Sequence, residues 1–121
     1  MINHYKELIF WQRAYETTML VILLCRKLPK ERVADILASQ IIRSAASVGA
    51  NIAEGFGRYK GKEYQRFLQV ALGSANETDY WLTILRETYP VFTKDIDIII
   101  QKNIETIKML AKSLQTLRNR K

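Results

Sequence analysis

Five glycines and two prolines are all that this chain of 121 residues contains of the strongest structure breakers. Long helices are therefore easy to build, and a many-turned β fold is not. Cysteine occurs once, at Cys25, which excludes an internal disulfide and a cysteine metal cluster. Histidine also occurs once, at His4, so a histidine-based nucleophilic triad or metal site has no support. Long hydrophobic runs are missing as well. The longest, such as residues 19–25, fall far short of the roughly 20 residues a membrane span requires. The opening MINHYKELIFWQR has neither the uninterrupted apolar core nor the small-residue cleavage site of a signal peptide. Glu77 with Asp79, and Asp95 with Asp97, are two residues apart and diverge on a helix, which makes them poor metal pairs. Gly55 and Gly57 follow a helical pattern rather than a strand, so they form no phosphate loop. The expectation is a cytoplasmic, non-membrane chain with no catalytic residues, no metal and no cofactor.

What the chain does have is helical periodicity, in a length that suits one domain spanning 1–121. Four helices are expected, over about 4–27, 32–56, 62–88 and 93–119, and the fold class is all-α. In the first, Leu8, Trp11, Tyr15, Thr18, Ile22 and Cys25 make a stripe that Leu28 and Pro29 close. A second apolar set on other faces, including Ile9, Phe10, Leu20 and Leu23, fits either deep burial or coverage by a neighbouring subunit. In the third helix Tyr80, Trp81, Leu82, Ile84 and Leu85 again exceed one buried face, and Trp81 reads as core or as an interface anchor. The fourth starts near Thr93 with Asp95 and Asp97 in its first turn, and Ile96, Ile100, Ile104, Ile107, Ala111, Leu114 and Leu117 form its expected inner stripe.

The most specific stretch is 40–77, two helical patterns joined by a glycine-punctuated basic turn. Gln40, Arg43, Ser47, Asn51 and Glu54 recur three or four apart among small residues, and Phe67, Ala71, Ser74 and Glu77 repeat that spacing. With the two helices antiparallel, Glu77 falls near Arg43, and a polar network of Gln40, Arg43, Ser47, Asn51, Glu54, Ser74 and Glu77 is expected to hold helix register. A raised-pKa functional carboxylate at Glu54 is the other reading of the same residues. Charge adds a second theme. Nineteen Lys and Arg against twelve Asp and Glu give a net +7, a prior for an anionic partner. In the turn, Arg58, Tyr59, Lys60, Lys62 and Arg66 mix cations with rings, as single-strand nucleic-acid surfaces do, though a solvated turn closing the bundle looks the same. After Glu105 the chain is purely basic, and Arg118 and Arg120 read as helix-dipole complements or as a second anion patch.

The run NIAEG, then GR, then RFLQVALGS, with Trp11 and the Leu28 and Pro29 pair, closely resembles the four-helix-bundle family of 23S rRNA-intervening-sequence proteins. Two positions depart from the family pattern: Gly49 where relatives tend to carry proline, and Lys60 where they tend to carry a serine cap. The resemblance implies an antiparallel up-and-down bundle, assembled as a ring-shaped homopentamer, with no assigned catalytic residues. Five copies of a +7 chain would carry +35, enough for avidity to matter. The expected partners are thus other copies of the chain and RNA or another polyanion. The alternative is a scaffold for a protein partner, similar in plan to the pentameric accessory bundles of diversity-generating retroelements.

Overall fold

The two prolines divide the molecule. Leu28, held extended (φ −66°, ψ 151°) as a residue before proline must be, ends α1 (Ile9–Lys27), and Tyr89 before Pro90 ends α3 (Gly61–Thr88). Between them α2 (Arg32–Gly57) runs unbroken through Gly49, and α4 (Thr93–Arg118) completes the chain. The computed structural model describes residues 2–58 and 61–120, and among these no strand occurs. The first helix is shorter than its periodicity suggests. Residues Tyr5–Glu7 form a separate 3₁₀ turn, because the His4 side chain accepts from Lys6 N–H while Glu7 accepts from the His4 and Asn3 backbones.

The four helices form an antiparallel bundle in which each packs on its two neighbours around the ring. Cross-helix partners fix the register. Arg13 faces Glu105 (3.7 Å), Thr18 donates to the Ala45 carbonyl (3.0 Å), Ser47 meets Ser74 (2.9 Å), and Asn103 donates to the Ala75 carbonyl (2.8 Å). At Gly55 the backbones of α2 and α3 come so close that a Cβ there would sit 2.8 Å from that of Phe67. That close approach uses glycine's missing side chain.

The core is two apolar clusters with a polar layer between them. One holds Val21, Leu24, Ile41, Leu82, Leu85 and Ile96; the other holds Val48, Ile52, Leu68, Ala71, Leu110 and Leu114. Between them lie buried Thr17, Ser44, Thr78, Asn103 and Thr106, drawn from all four helices. Ser44 bonds Thr78 (2.9 Å), and only the Thr17 hydroxyl lacks a partner among the described buried side chains.

This layer shifts two faces from the sequence reading. In α1 the buried stripe is Ala14, Thr17, Val21 and Leu24, while Tyr15 is exposed and Trp11, Thr18, Ile22 and Cys25 flank it toward α2. In α4 the buried stripe is Ile96, Ile99, Asn103, Thr106, Leu110 and Leu114, and Ala111 faces solvent. Apolar residues outnumber polar ones on the flanks, so hydropathy alone pulls the stripe sideways.

Candidate functional site

The α2–α3 seam brings most of the stripe from Gln40 together. Arg43 donates to Glu77 and to Gln40 (3.1 Å), and the Trp81 indole N–H donates to the same Glu77 carboxylate (2.9 Å). The hydrogen bond from Trp81 is the largest cause holding the Glu77 carboxyl below its ordinary range; burial opposes it and Arg43 adds to it. One turn on, Asn51 donates to the Ser47 carbonyl (2.8 Å) and hydroxyl (3.0 Å), and Ser47 meets Ser74. Glu54 does not join this chain. Its partner is Arg58 (3.0 Å), the residue that closes α2 four positions further along the chain. The seam lies open: Arg43 is 57% exposed and Glu77 37%.

The basic turn is more neutralised than its sequence suggests. Arg58 reaches both Glu54 and Glu63 (3.9 Å), Arg66 binds Glu63 through two nitrogens (3.1 and 3.3 Å), and both guanidiniums stand over the Phe67 ring at 5.6 and 4.8 Å. The bond from Arg66 holds the Glu63 carboxyl below its usual range. Lys62 has no ion-pair partner among the described residues. Tyr59 and Lys60 lie outside the described residues.

Antiparallel packing places that turn at the same end of the bundle as the start of α1 and the end of α4. Arg118 there donates to Gln69 of α3, while Arg120 and Lys112 have no ion-pair partner among the described residues. Sequence reading found the turn and the tail separately; their meeting is a product of topology. It overlooked Ser113 and Thr116, which with Phe10, Tyr64, Lys112 and Arg120 line an open cavity of about 540 Å³ at this end. The available signal was the spacing of Met109, Ser113, Thr116, Leu117 and Arg120, which repeats every three or four residues to the end of α4.

Among the described residues no group of three His, Cys, Asp or Glu could hold a metal ion, and no helix is long and apolar enough to cross a membrane. The Cys25 thiol is pushed up to about 11 by burial, far from the thiolate a nucleophile needs.

Fold and site together define an all-α four-helix bundle with one basic, cavity-bearing end. The chain belongs to the 23S rRNA-intervening sequence protein family, whose model matches residues 6–112. A solved structure similar to it is that of a protein with unknown function from the S23 ribosomal protein family of Bacteroides thetaiotaomicron. The two share 28% identity at a TM-score of 0.78, over 88% of this chain and 98% of that one. Comparison with curated proteins gave no match.

Proposed function

We propose that the chain is a non-enzymatic helical bundle that assembles with copies of itself, as a homopentamer, and contacts RNA or another nucleic acid through its basic end. The observation that carries the reading is the presence at that end of Lys62, Lys112 and Arg120, cations with no ion-pair partner among the described residues, two of which line one cavity. An unpaired surface cation releases a phosphate counterion at little cost to the fold, whereas Arg58 and Arg66 would first have to leave Glu63. The unpaired group therefore carries more of the contact than the turn arginines.

The test is a salt series of binding to structured RNA, single-stranded RNA and duplex DNA. Replacing Lys62 and Lys112 by alanine should weaken every complex and flatten the salt slope for single strands by about 1.4, two phosphates at roughly 0.7 each. Binding that is absent even at low salt would remove the reading. The family name and the net +7 support it but do not choose the ligand.

One observation favours a second reading. The outer face of α1 and α2 exposes Tyr15, Met19, Leu23 and Ile36 at 42 to 52%, apolar surface suited to a protein neighbour. In that reading the bundle is a scaffold, for example an accessory subunit of a nucleic-acid-processing enzyme. Copurification of one acidic protein without RNA would favour it.

A further inference from the structure

The helix α4 outruns α1. The pairing of Arg13 with Glu105 and of Lys27 with Asp95 sets their antiparallel register, which puts Ile9, the first residue of α1, level with Met109. The chain before Ile9 does not continue along α4. It turns toward α2, where the Tyr5 ring packs edge-on to Trp11 with centroids 5.2 Å apart. The last turns of α4 are thus left without α1 residues opposite them, and the gap is the cavity of about 540 Å³. That size lies within the range of small-ligand sites.

Its lining is specific in kind. The rings of Phe10 and Tyr64 supply flat apolar wall, and no acid takes part. Besides the Tyr64 hydroxyl, four polar side chains line it: Lys112, Ser113, Thr116 and Arg120. None of these has a side-chain hydrogen bond or ion pair among the described residues. The first turn of α1, which supplies Ile9 and Phe10, holds no acid and has no side-chain cap, so its dipole adds positive potential. Flat rings, free hydroxyls and exposed cations match a heteroaromatic base that remains attached to its phosphates. An aliphatic anion would leave the hydroxyls without a role.

We infer that this cavity accepts one unstacked base of a single-stranded RNA, with Ser113 and Thr116 meeting the base edge and Lys112 and Arg120 the flanking phosphates. Stacking on the two rings is what separates this site from a general polyanion surface. The inference rests on the nucleic-acid reading above and adds a preference for single strands that charge alone does not produce.

The experiment compares binding of a labelled single-stranded RNA, the same strand carrying abasic sites, and its duplex, with 2-aminopurine emission reporting stacking. Wild-type protein should bind the intact single strand about tenfold or more tighter than the abasic one, with the emission quenched. Filling the cavity with Thr116→Trp, or independently with Ser113→Leu, should bring the two strands to parity while helicity and assembly mass stay unchanged. Parity already in the wild type overturns the inference and leaves the electrostatic reading standing, whereas failure of all three ligands to bind removes both. A filled variant that still prefers the intact strand also overturns it. So does one that changes assembly mass without touching RNA binding, which would assign the cavity to a second copy of the chain.

Discussion

Glu77 is the residue on which the α2–α3 seam converges, since Trp81, Arg43 and through it Gln40 all address one carboxylate. With its folded-state pKa depressed below 4.5, its contribution is fully present above about pH 4.5 and is lost as pH falls through the folded value. Replacing it by glutamine should therefore flatten the acid limb of stability below about pH 4.5. At neutral pH the same change should cost no more than about 1 kcal/mol, because the pair stays largely in water at 57% and 37% exposure. Urea midpoints at pH 7 and pH 3 for wild type and Glu77→Gln measure this, and parallel acid limbs would show that the seam is electrostatically idle. Arg43 was readable as its partner because both residues sit on three-and-four stripes and a short turn joins their helices. Trp81 was not, because its indole N–H reaches Glu77 one turn back along the same helix, and its apolar body dominates any pattern.

At the scale of the element, α2 and α3 show how two glycines on neighbouring helices can have opposite roles. A methyl group at Gly55 would lie 2.8 Å from Phe67 Cβ, an atom fixed to the α3 backbone, whereas one at Gly73 meets nothing within 4 Å. Alanine gains about 1 kcal/mol of helix propensity at either site. At Gly55 that gain is outweighed by forcing two backbones apart, at roughly 1–3 kcal/mol. Thermal unfolding should place Gly73→Ala above the wild type and Gly55→Ala below it; a stabilised Gly55→Ala would mean that the seam is looser than its geometry. The number and order of helices were legible in the sequence, because Pro29, Pro90 and the glycines at the end of α2 punctuate four periodic runs. The inner faces of α1 and α4 were not fully legible. Thr17, Asn103 and Thr106 are buried through the layout of all four helices, and a hydropathy stripe counts them as surface. The cavity was hidden for a related reason, since the offset between α1 and α4 is a property of their pairing and no local segment encodes it.

For the whole molecule, polarity is divided by side. The outward positions of α4 carry Lys94, Gln101, Glu105, Lys108 and Lys112, with one large apolar side chain among them, Ile98 at 58% exposure. Those of α1 present Tyr15 at 52% exposure, Met19 at 42% and Leu23 at 49%, one ridge at spacings of four. On α2 Ala46 and Ala50 lie exposed beside it. A monomer would keep that ridge in contact with water at a cost that grows with its apolar area, and the proposed self-association, if it runs through α1 and α2, would remove that cost while leaving the basic end free. Light scattering should then give about five times the chain mass of 14.1 kDa for the proposed ring. The double change Met19→Glu and Leu23→Glu should reduce it to the single-chain mass with helicity retained. Because the ridge lies on the flank of the bundle and the cations lie at its end, the dissociated form should keep its salt slope per chain and lose affinity through avidity, about 10²-fold or more for an RNA long enough to touch several chains. A dissociated variant that binds long RNA as tightly as the wild type would separate assembly from binding. A wild-type protein already at the single-chain mass would instead mean that another protein covers the ridge.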